Sequence, residues 1–374
     1  MLVDKNNSII LNQNLDSSYP VYFTKNLFNG ATKYSNLLSS ICKRKVFIVI
    51  DKNVNRIYGK KIAEYFSEKS SDYRIHEFDA LEADKNLKTI EKLCRLAKEF
   101  DMRRDSVFIA IGGGITMDIA GFAAFIYRKK IPYVRIPTTL VGVVDAGVGI
   151  KVGINFSGSK NFLGGFYPPY AVFNDLSFLG TLTEKEIRCG LFEILKMAII
   201  KDKKLFKLLN QECQNILDRR FSKKTEKINY VAARSMMEEL EKNLYEKDLK
   251  RSVDFGHTFS PFIEIFSAYS IPHGEAVGVD ILISSYISLI KGILSKKDFS
   301  NITTSIKLIG FTKKYTLPKE KDLYDSLYEI RKHRAKNLNL VLPFEIGKAI
   351  FTNECSLDEI KKTYKFLAGT GLFN

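Results

Sequence analysis

The sequence predicts two domains: an α/β domain with a mostly parallel sheet over residues 1–180, and a mainly α-helical domain over residues 181–374. Three observations predict it. Short β-branched runs alternate with amphipathic stretches between residues 45 and 136, three consecutive glycines fall where one run meets a helical pattern, and beyond Asp175 the composition turns helical. At 374 residues the chain also exceeds what one hydrophobic core usually supports, so two are expected.

The alternation begins at residues 45–50 (K-V-F-I-V-I), a strand closed by Asp51 and followed by Asn53 and a helical pattern to Tyr65. An extended piece over 73–78, an amphipathic helix over 86–100 and a strand over 106–111 continue it. Strands joined by helices pair in parallel and are covered on both faces. The last of these strands meets Gly112-Gly113-Gly114, with a helix from Ile115 that carries Asp118. Glycines before a helix let a pyrophosphate approach backbone N–H groups, and the helix N-terminus favours its charge. A tight structural turn is the other reading, because the pattern is G-G-G-x-x-x-D and not G-x-G-x-x-G. Residues 108–127 form the one run resembling a membrane span, but its glycines and Asp118 fit a strand, turn and helix better.

A strand over 133–136 enters Pro137-Thr138-Thr139. Residues 145–165 then set Asp145, Lys151, Asn155, Lys160 and Asn161 among six glycines. Polar side chains in a glycine-rich frame suit a polyhydroxylated, anionic ligand. A solvated hairpin is the alternative, and it leaves the apolar pattern A-G-V-G-I-K-V-G-I unexplained.

In the helical half, Thr183 opens a capping box with Glu186, and one helix is expected from Ile187 to about Leu209. Its spacing puts Glu193 and Lys196 on one face, and a Glu in such apolar surroundings needs either Lys196 or a metal as partner. Further helices are expected over 227–245, 259–266, 275–294, 297–309 and 357–366, with short strands around Val341 and Ala349. Residues 253–275 hold two of the four histidines, His257 after Gly256 and His273 before Gly274. Imidazoles are good ligands for a borderline metal; polar groups at two helix starts are the bland alternative.

The net charge of +16 suits an anionic partner, but lysines and arginines interleave with acids, and no arginine-rich arm or zinc-finger spacing occurs. Nucleic acid and membrane are therefore not expected as partners, and a phosphorylated small molecule is. Five widely spaced cysteines without a C-x-x-C pair, and an N-terminus lacking an apolar signal core, lead to the expectation of a reduced, cytoplasmic setting.

The ordered motifs G-G-G-I-T-M-D, P-T-T-L, D-A-G-V-G-I-K, K-N, the E-I-L-K helix, G-H-T-F and H-G-E resemble the sugar phosphate cyclases, the superfamily that contains the dehydroquinate synthases. The resemblance spans residues 45–348. It implies a dehydroquinate synthase-like homodimer, each subunit having a Rossmann-like NAD-binding α/β domain and a helical domain for metal and substrate. The implied metal ligands are Glu193, His257 and His273, holding zinc, with cobalt as an alternative. Implied NAD contacts are Asp51, Asn53, Glu82, Lys85, Gly113, Gly114, Ile115, Asp118, Thr138, Thr139 and Thr181. Asp51 at a strand end favours NAD over NADP, because it accepts from ribose hydroxyls. Implied substrate-facing positions are Asp145, Lys151, Lys160, Asn161, Lys196, Lys250 and Lys332. The turn Arg128-Lys129-Lys130 matches a segment that in relatives reaches the neighbouring subunit's phosphate site.

Two positions depart from the dehydroquinate synthase pattern: Asp254 stands in place of asparagine, and Pro261 in place of a second histidine. Proline neither donates a hydrogen bond nor carries a proton, so phosphate must be held differently. V-D-F-G-H-T-F-S-P and E-E-L-E-x-N-L are similar to the branch acting on sedoheptulose 7-phosphate, and Leu240, Asp254 and His333 together match its 2-epi-5-epi-valiolone synthases. Other branches are expected to carry methionine in place of Leu240, alanine in place of Asp254 or threonine in place of His333. The implied reaction is transient oxidation by NAD, β-elimination of phosphate, re-reduction, ring opening and aldol closure, with Asp254 and His333 helping to select the stereochemistry. Another cyclase of the superfamily and a metal-dependent polyol dehydrogenase are the alternatives.

Overall fold

The central strands are buried along their length, and successive side chains enter two cores, one on each face of the sheet. The structure, a computed structural model, describes residues 2–5, 8–11, 17–30, 32–70, 72–334 and 336–373; the side chains of 2–5, 8–11 and 333 lie outside that description. A hairpin of β1 (Leu2–Lys5) and β2 (Ser8–Leu11) precedes β3 (Val21–Thr24) and α1 (Lys33–Ile41). There follow β4 (Val46–Asp51), α2 (Lys52–Lys69), β5 (Tyr73–Phe78), α3 (Leu87–Glu99), β6 (Val107–Gly112), α4 (Gly114–Ile126) and β7 (Tyr133–Pro137). A π-helical turn, Gly142–Ala146, leads to β8 (Lys151–Phe156), β9 (Ser159–Phe166) and β10 (Ala171–Asp175).

Six strands form one sheet in the order β3-β10-β7-β6-β4-β5, with every pairing parallel. Val46, Ile48 and Ile50 pack against α1 and α2 through Leu38, Ile41, Ile62 and Phe66. Phe47 and Val49, one residue out of phase, pack against α3 and α4 through Ile90, Leu93 and Ala120. The chain leaves β4 first toward β5 and then, on the other side, toward β6. The strand order reverses there, and a crevice at the carboxyl ends of such strands is where α/β sheets bind ligands. The run over 108–127 is β6, a glycine turn and α4, and among the described residues no helix is long and apolar enough to cross a membrane.

The segment over 145–165 contains a hairpin, β8 with β9, but not a fully solvated one: Val152 and Ile154 are buried beneath α4. The first forty residues, silent in the sequence, supply α1 and the edge strand β3, which at four residues is too short to show periodicity.

The second half comprises α5 (Glu184–Ile200), α6 (Lys203–Leu217), α7 (Lys223–Glu241), α8 (Ser260–Phe266), α9 (His273–Ile290), α10 (Lys296–Ile309), α11 (Glu320–His333), the hairpin of β11 (Leu340–Glu345) and β12 (Lys348–Thr352), and α12 (Leu357–Gly369). The Thr183–Glu186 capping box starts α5. The single helix expected over 187–209 is two. Lys201 leaves the helical region (φ −135, ψ −37), and the Asp202 carboxylate accepts from the N–H groups of Lys204 and Leu205 to start α6. A local aspartate cap competes well with helix continuation, and Gly347 N–H donates to the freed Ile199 carbonyl at 2.7 Å. Leu140, Val143, Val144 and Val148 belong to the helical core, so the turn bearing Asp145 joins the sheet to the helices.

Candidate functional site

Helix α5 is buried along most of its length, and Glu193 projects from it with 1% exposure. His257 lies in the turn before α8, and His273 opens α9. Two glycines make the approach possible. Gly256 has φ +76, a left-handed conformation that turns the chain into His257. At Gly274 a Cβ would fall 2.3 Å from the Cys189 backbone, so α9 packs directly on α5 and carries His273 to Glu193. Glu193 Oε1 lies 3.2 Å from His273 Nε2 and 3.9 Å from His257 Nε2.

One ligand atom from each residue falls within 4.8 Å of the others. Tetrahedral zinc bonds of about 2.0–2.2 Å require ligand atoms roughly 3.3–3.5 Å apart, so small side-chain movements suffice to close the site on a cation. Neither Glu193 oxygen accepts a well-directed hydrogen bond, although Lys196 Nζ stands 2.7 Å away. A buried carboxylate with unused lone pairs beside two imidazoles fits a divalent metal.

Each histidine has its second nitrogen occupied. His257 Nδ1 faces the Phe255 carbonyl at 3.2 Å, and His273 Nδ1 faces Glu264 Oε1 at 2.9 Å. Glu264 in turn accepts from Lys160 Nζ at 2.6 Å. Burial would raise the Glu264 pKa, but His273 and Lys160 hold it down at about 2. Burial and the Lys196 charge push His257 down to about 4, leaving it neutral and ready to ligate. Burial also opposes charge on His273, yet Glu264 and Glu193 push it up to about 10, so without metal it is charged and pairs with both carboxylates. Outer carboxylates of this kind fix ring orientation, and their loss typically weakens metal binding about 10- to 100-fold. Glu264→Gln is expected to lower zinc affinity by that factor in a chelator competition titration; unchanged affinity would remove Glu264 from the site.

Lys196, 1% exposed, bridges Glu193 and Asp145, with Asp145 Oδ1 at 3.1 Å. Burial disfavours its charge, but the two carboxylates hold its pKa above the ordinary lysine value. Lys151 pairs with Glu246, and Glu246 with Arg251. Asp254 sits between Arg251 Nη2 at 2.6 Å and Arg334 Nη2 at 3.1 Å, so its carboxylate stays ionised despite burial. Leu240 packs at Gly149. Asn161, grouped with the substrate positions, instead accepts from Lys85, which also pairs with Asp118 at 2.5 Å. Lys250 lies over the Phe351 ring, Lys332 pairs with exposed Glu329, and Lys129 is exposed on the turn after α4. His333 ends α11, and its side chain lies outside the described residues.

The positions expected to contact NAD share one edge of the sheet. Asp51 ends β4 and Asn53 follows it, Glu82 and Lys85 follow β5, Gly113, Gly114 and Ile115 follow β6, Thr138 and Thr139 follow β7, and Thr181 follows β10. Asp51 Oδ1 caps α2 through the N–H groups of Asn53 and Val54. The N-terminus of α4 has no side-chain cap, and Thr139 stands against Gly113. Glu82 accepts from Asn155, tying this edge to the β8–β9 hairpin. Thr181 bonds Tyr58 at 2.9 Å.

Sequence reading missed Glu264, Glu246, Arg251, Arg334 and Asp280. Asp280, fully buried on α9, accepts from the N–H groups of Thr258, Phe259 and Ser260 and so fixes the backbone just after His257. Glu264 was legible in principle, because F-I-E-I-F sets one carboxylate in an apolar run just as the surroundings of Glu193 do.

A family model described as 3-dehydroquinate synthase N-terminal matches residues 75–189, and one described as 3-dehydroquinate synthase C-terminal matches residues 190–336. A 2-epi-5-epi-valiolone synthase of Streptomyces glaucescens is 38% identical over 320 residues, covering 84% of this chain and 82% of that one. A 3-dehydroquinate synthase of Caldanaerobacter subterraneus subsp. tengcongensis is 31% identical over 353 residues, covering 92% and 97%. Among solved structures, ValA, a 2-epi-5-epi-valiolone synthase from Streptomyces hygroscopicus subsp. jinggangensis with NAD+ and Zn2+ bound, matches with a TM-score of 0.91 at 34% identity, over 96% of this chain and 99% of that one.

Proposed function

The chain belongs to the 3-dehydroquinate synthase family, and from that premise we propose that it is an NAD- and zinc-dependent sugar phosphate cyclase, converting sedoheptulose 7-phosphate to 2-epi-5-epi-valiolone with loss of phosphate. The observation that carries the reading is the cluster of Glu193, His257 and His273 beside the buried Lys196–Asp145 pair, in a chain this similar to 2-epi-5-epi-valiolone synthases.

When bound, NAD supplies a reversible hydride acceptor and zinc a Lewis acid. The chain supplies the rest. Glu193, His257 and His273 hold the metal, and the uncapped first turn of α4 receives the pyrophosphate. Lys196 keeps a full positive charge where negative charge develops on the sugar, and Asp145 beside it orients hydroxyls or moves a proton. Lys151, Lys160 and Lys250 supply positive charge toward the departing phosphate. Leu240 and Asp254 shape the pocket that selects the product isomer, a role that the resemblance also implies for His333.

The protein acts as a cytoplasmic homodimer in this reading, with Lys129 turned toward the neighbouring subunit. Arg128, Lys129 and Lys130 hold φ of 47, 64 and 83 in succession. Three such non-glycine residues cost about 1–3 kcal/mol each, and a role at an interface accounts for keeping them. The test is a paired incubation with NAD+, zinc and either sedoheptulose 7-phosphate or 3-deoxy-arabino-heptulosonate 7-phosphate. Expected are phosphate and a valiolone ring from the first, seen by NMR and mass spectrometry, without NADH accumulation. Turnover of the second alone would make the protein a 3-dehydroquinate synthase; NADH without phosphate would make it a dehydrogenase.

A further inference from the structure

Arg135 on β7 is fully buried, and among the described residues no carboxylate pairs with it; its bonds there all go to backbone carbonyls. Nη1 donates to Gly147 O at 3.3 Å and to Gly149 O, and Nη2 donates to Lys151 O at 3.0 Å. Nε has no partner, and the guanidinium lies 5.3 Å from the Tyr133 ring centroid. The carbonyls between are also held: Val148 O accepts from Tyr19 OH at 2.5 Å, and Ile150 O from Tyr167 N–H at 2.7 Å. Five consecutive carbonyls, 147 to 151, are thus fixed from outside the loop, three of them by one side chain.

Burying an ion without a counter-ion costs several kcal/mol, and an apolar side chain of similar size would fill the space without that cost. The arginine is therefore explained by what its planar fork holds, several acceptors in one geometry. The loop it holds has the site at both ends. Asp145, paired with Lys196, lies in the π-helical turn just before it, and Lys151 ends it. Between them, Gly149 lies against Leu240. A shift of this loop would move a proton-handling carboxylate, a phosphate-facing lysine and one pocket wall together, while the α4 turn and the three metal ligands stand on other elements.

We propose that Arg135 is a positioning residue for the sugar phosphate, a buried clamp that sets Asp145, Lys151 and the Leu240 wall in register through the carbonyls of residues 147–151. Tyr19 is the second arm of the clamp. The proposal rests on the functional reading only in that an anionic sugar meets Asp145 and Lys151.

The test compares Arg135→Lys, Arg135→Met and Tyr19→Phe with wild type, each assayed with whichever sugar phosphate wild type turns over, so a wrong substrate assignment is seen in wild type alone. Misplacement by about 1 Å costs roughly 100-fold in rate. Arg135→Met is expected to lower kcat/KM for the sugar phosphate by about 10- to 100-fold, with Arg135→Lys recovering part of the loss and Tyr19→Phe giving a smaller loss of the same kind. The affinity for NAD and the zinc content per folded protein stay at wild-type values. Wild-type kinetics in Arg135→Met would overturn the proposal, as would loss of NAD and zinc in proportion to activity, which is the pattern of a merely structural arginine. If neither Arg135 variant folds, Tyr19→Phe decides: unchanged kinetics there also overturn it.

Discussion

Replacing His257 with alanine is expected to remove zinc and turnover together. The ligand set falls from one carboxylate and two imidazoles to one of each, too few to compete with water for a tetrahedral cation. We expect phosphate release to fall by at least about 1,000-fold, equivalent to roughly 4 kcal/mol of lost barrier lowering, and zinc measured by mass spectrometry to fall to trace levels. Folding and NAD binding remain, because the imidazole's other contact is one backbone carbonyl at 3.2 Å and the sheet edge lies on separate elements. Phosphate release persisting in a zinc-free His257→Ala protein would sink the metal assignment.

The second large effect belongs to Lys196. Lys196→Met keeps the bulk of the side chain and removes the charge that balances Glu193, itself 1% exposed, and Asp145. Breaking a buried pair from one side costs about 3–5 kcal/mol when the remaining ion is left uncompensated, and the charged His273 at 3.2 Å from Glu193 holds the cost here to the lower end of that range. The metal-free variant is therefore expected to unfold at lower denaturant by that amount. Saturating zinc restores part of the loss, since the cation gives Glu193 a new counter-charge and binds only the folded chain. Turnover is expected to be absent with or without zinc, because the proposed role of Lys196 is to hold positive charge beside the sugar. Guanidinium titrations of wild type and variant, in chelator and in zinc, test this; a metal-free variant as stable as wild type would show that Glu193 is not balanced by Lys196.

The contrast between these residues and the ones first seen in the structure follows from range. Glu193 and Lys196 were legible because residues three apart on a helix share a face, and Asp202 could have been read as a cap. Asp280 and Arg135 were not, and Glu264 only as an acid in an apolar run, without its partner. Their partners, Lys160 for Glu264, the backbone of 258–260 for Asp280 and that of 147–151 for Arg135, come together only when distinct elements pack.

By itself the sequence determined the alternation of strands and helices, the glycine turn between one strand and the helix after it, and the residue types able to hold a metal. These follow from local stereochemistry, from the two-residue period of a strand and the 3.6-residue period of a helix. Tertiary structure alone decided that α9 rests on α5 closely enough to join His273 to Glu193, that one aspartate secures the turn behind His257, and that an arginine fixes the loop between Asp145 and Lys151. Such contacts depend on which buried polar groups find partners as the elements pack, and no local period in the chain records that choice.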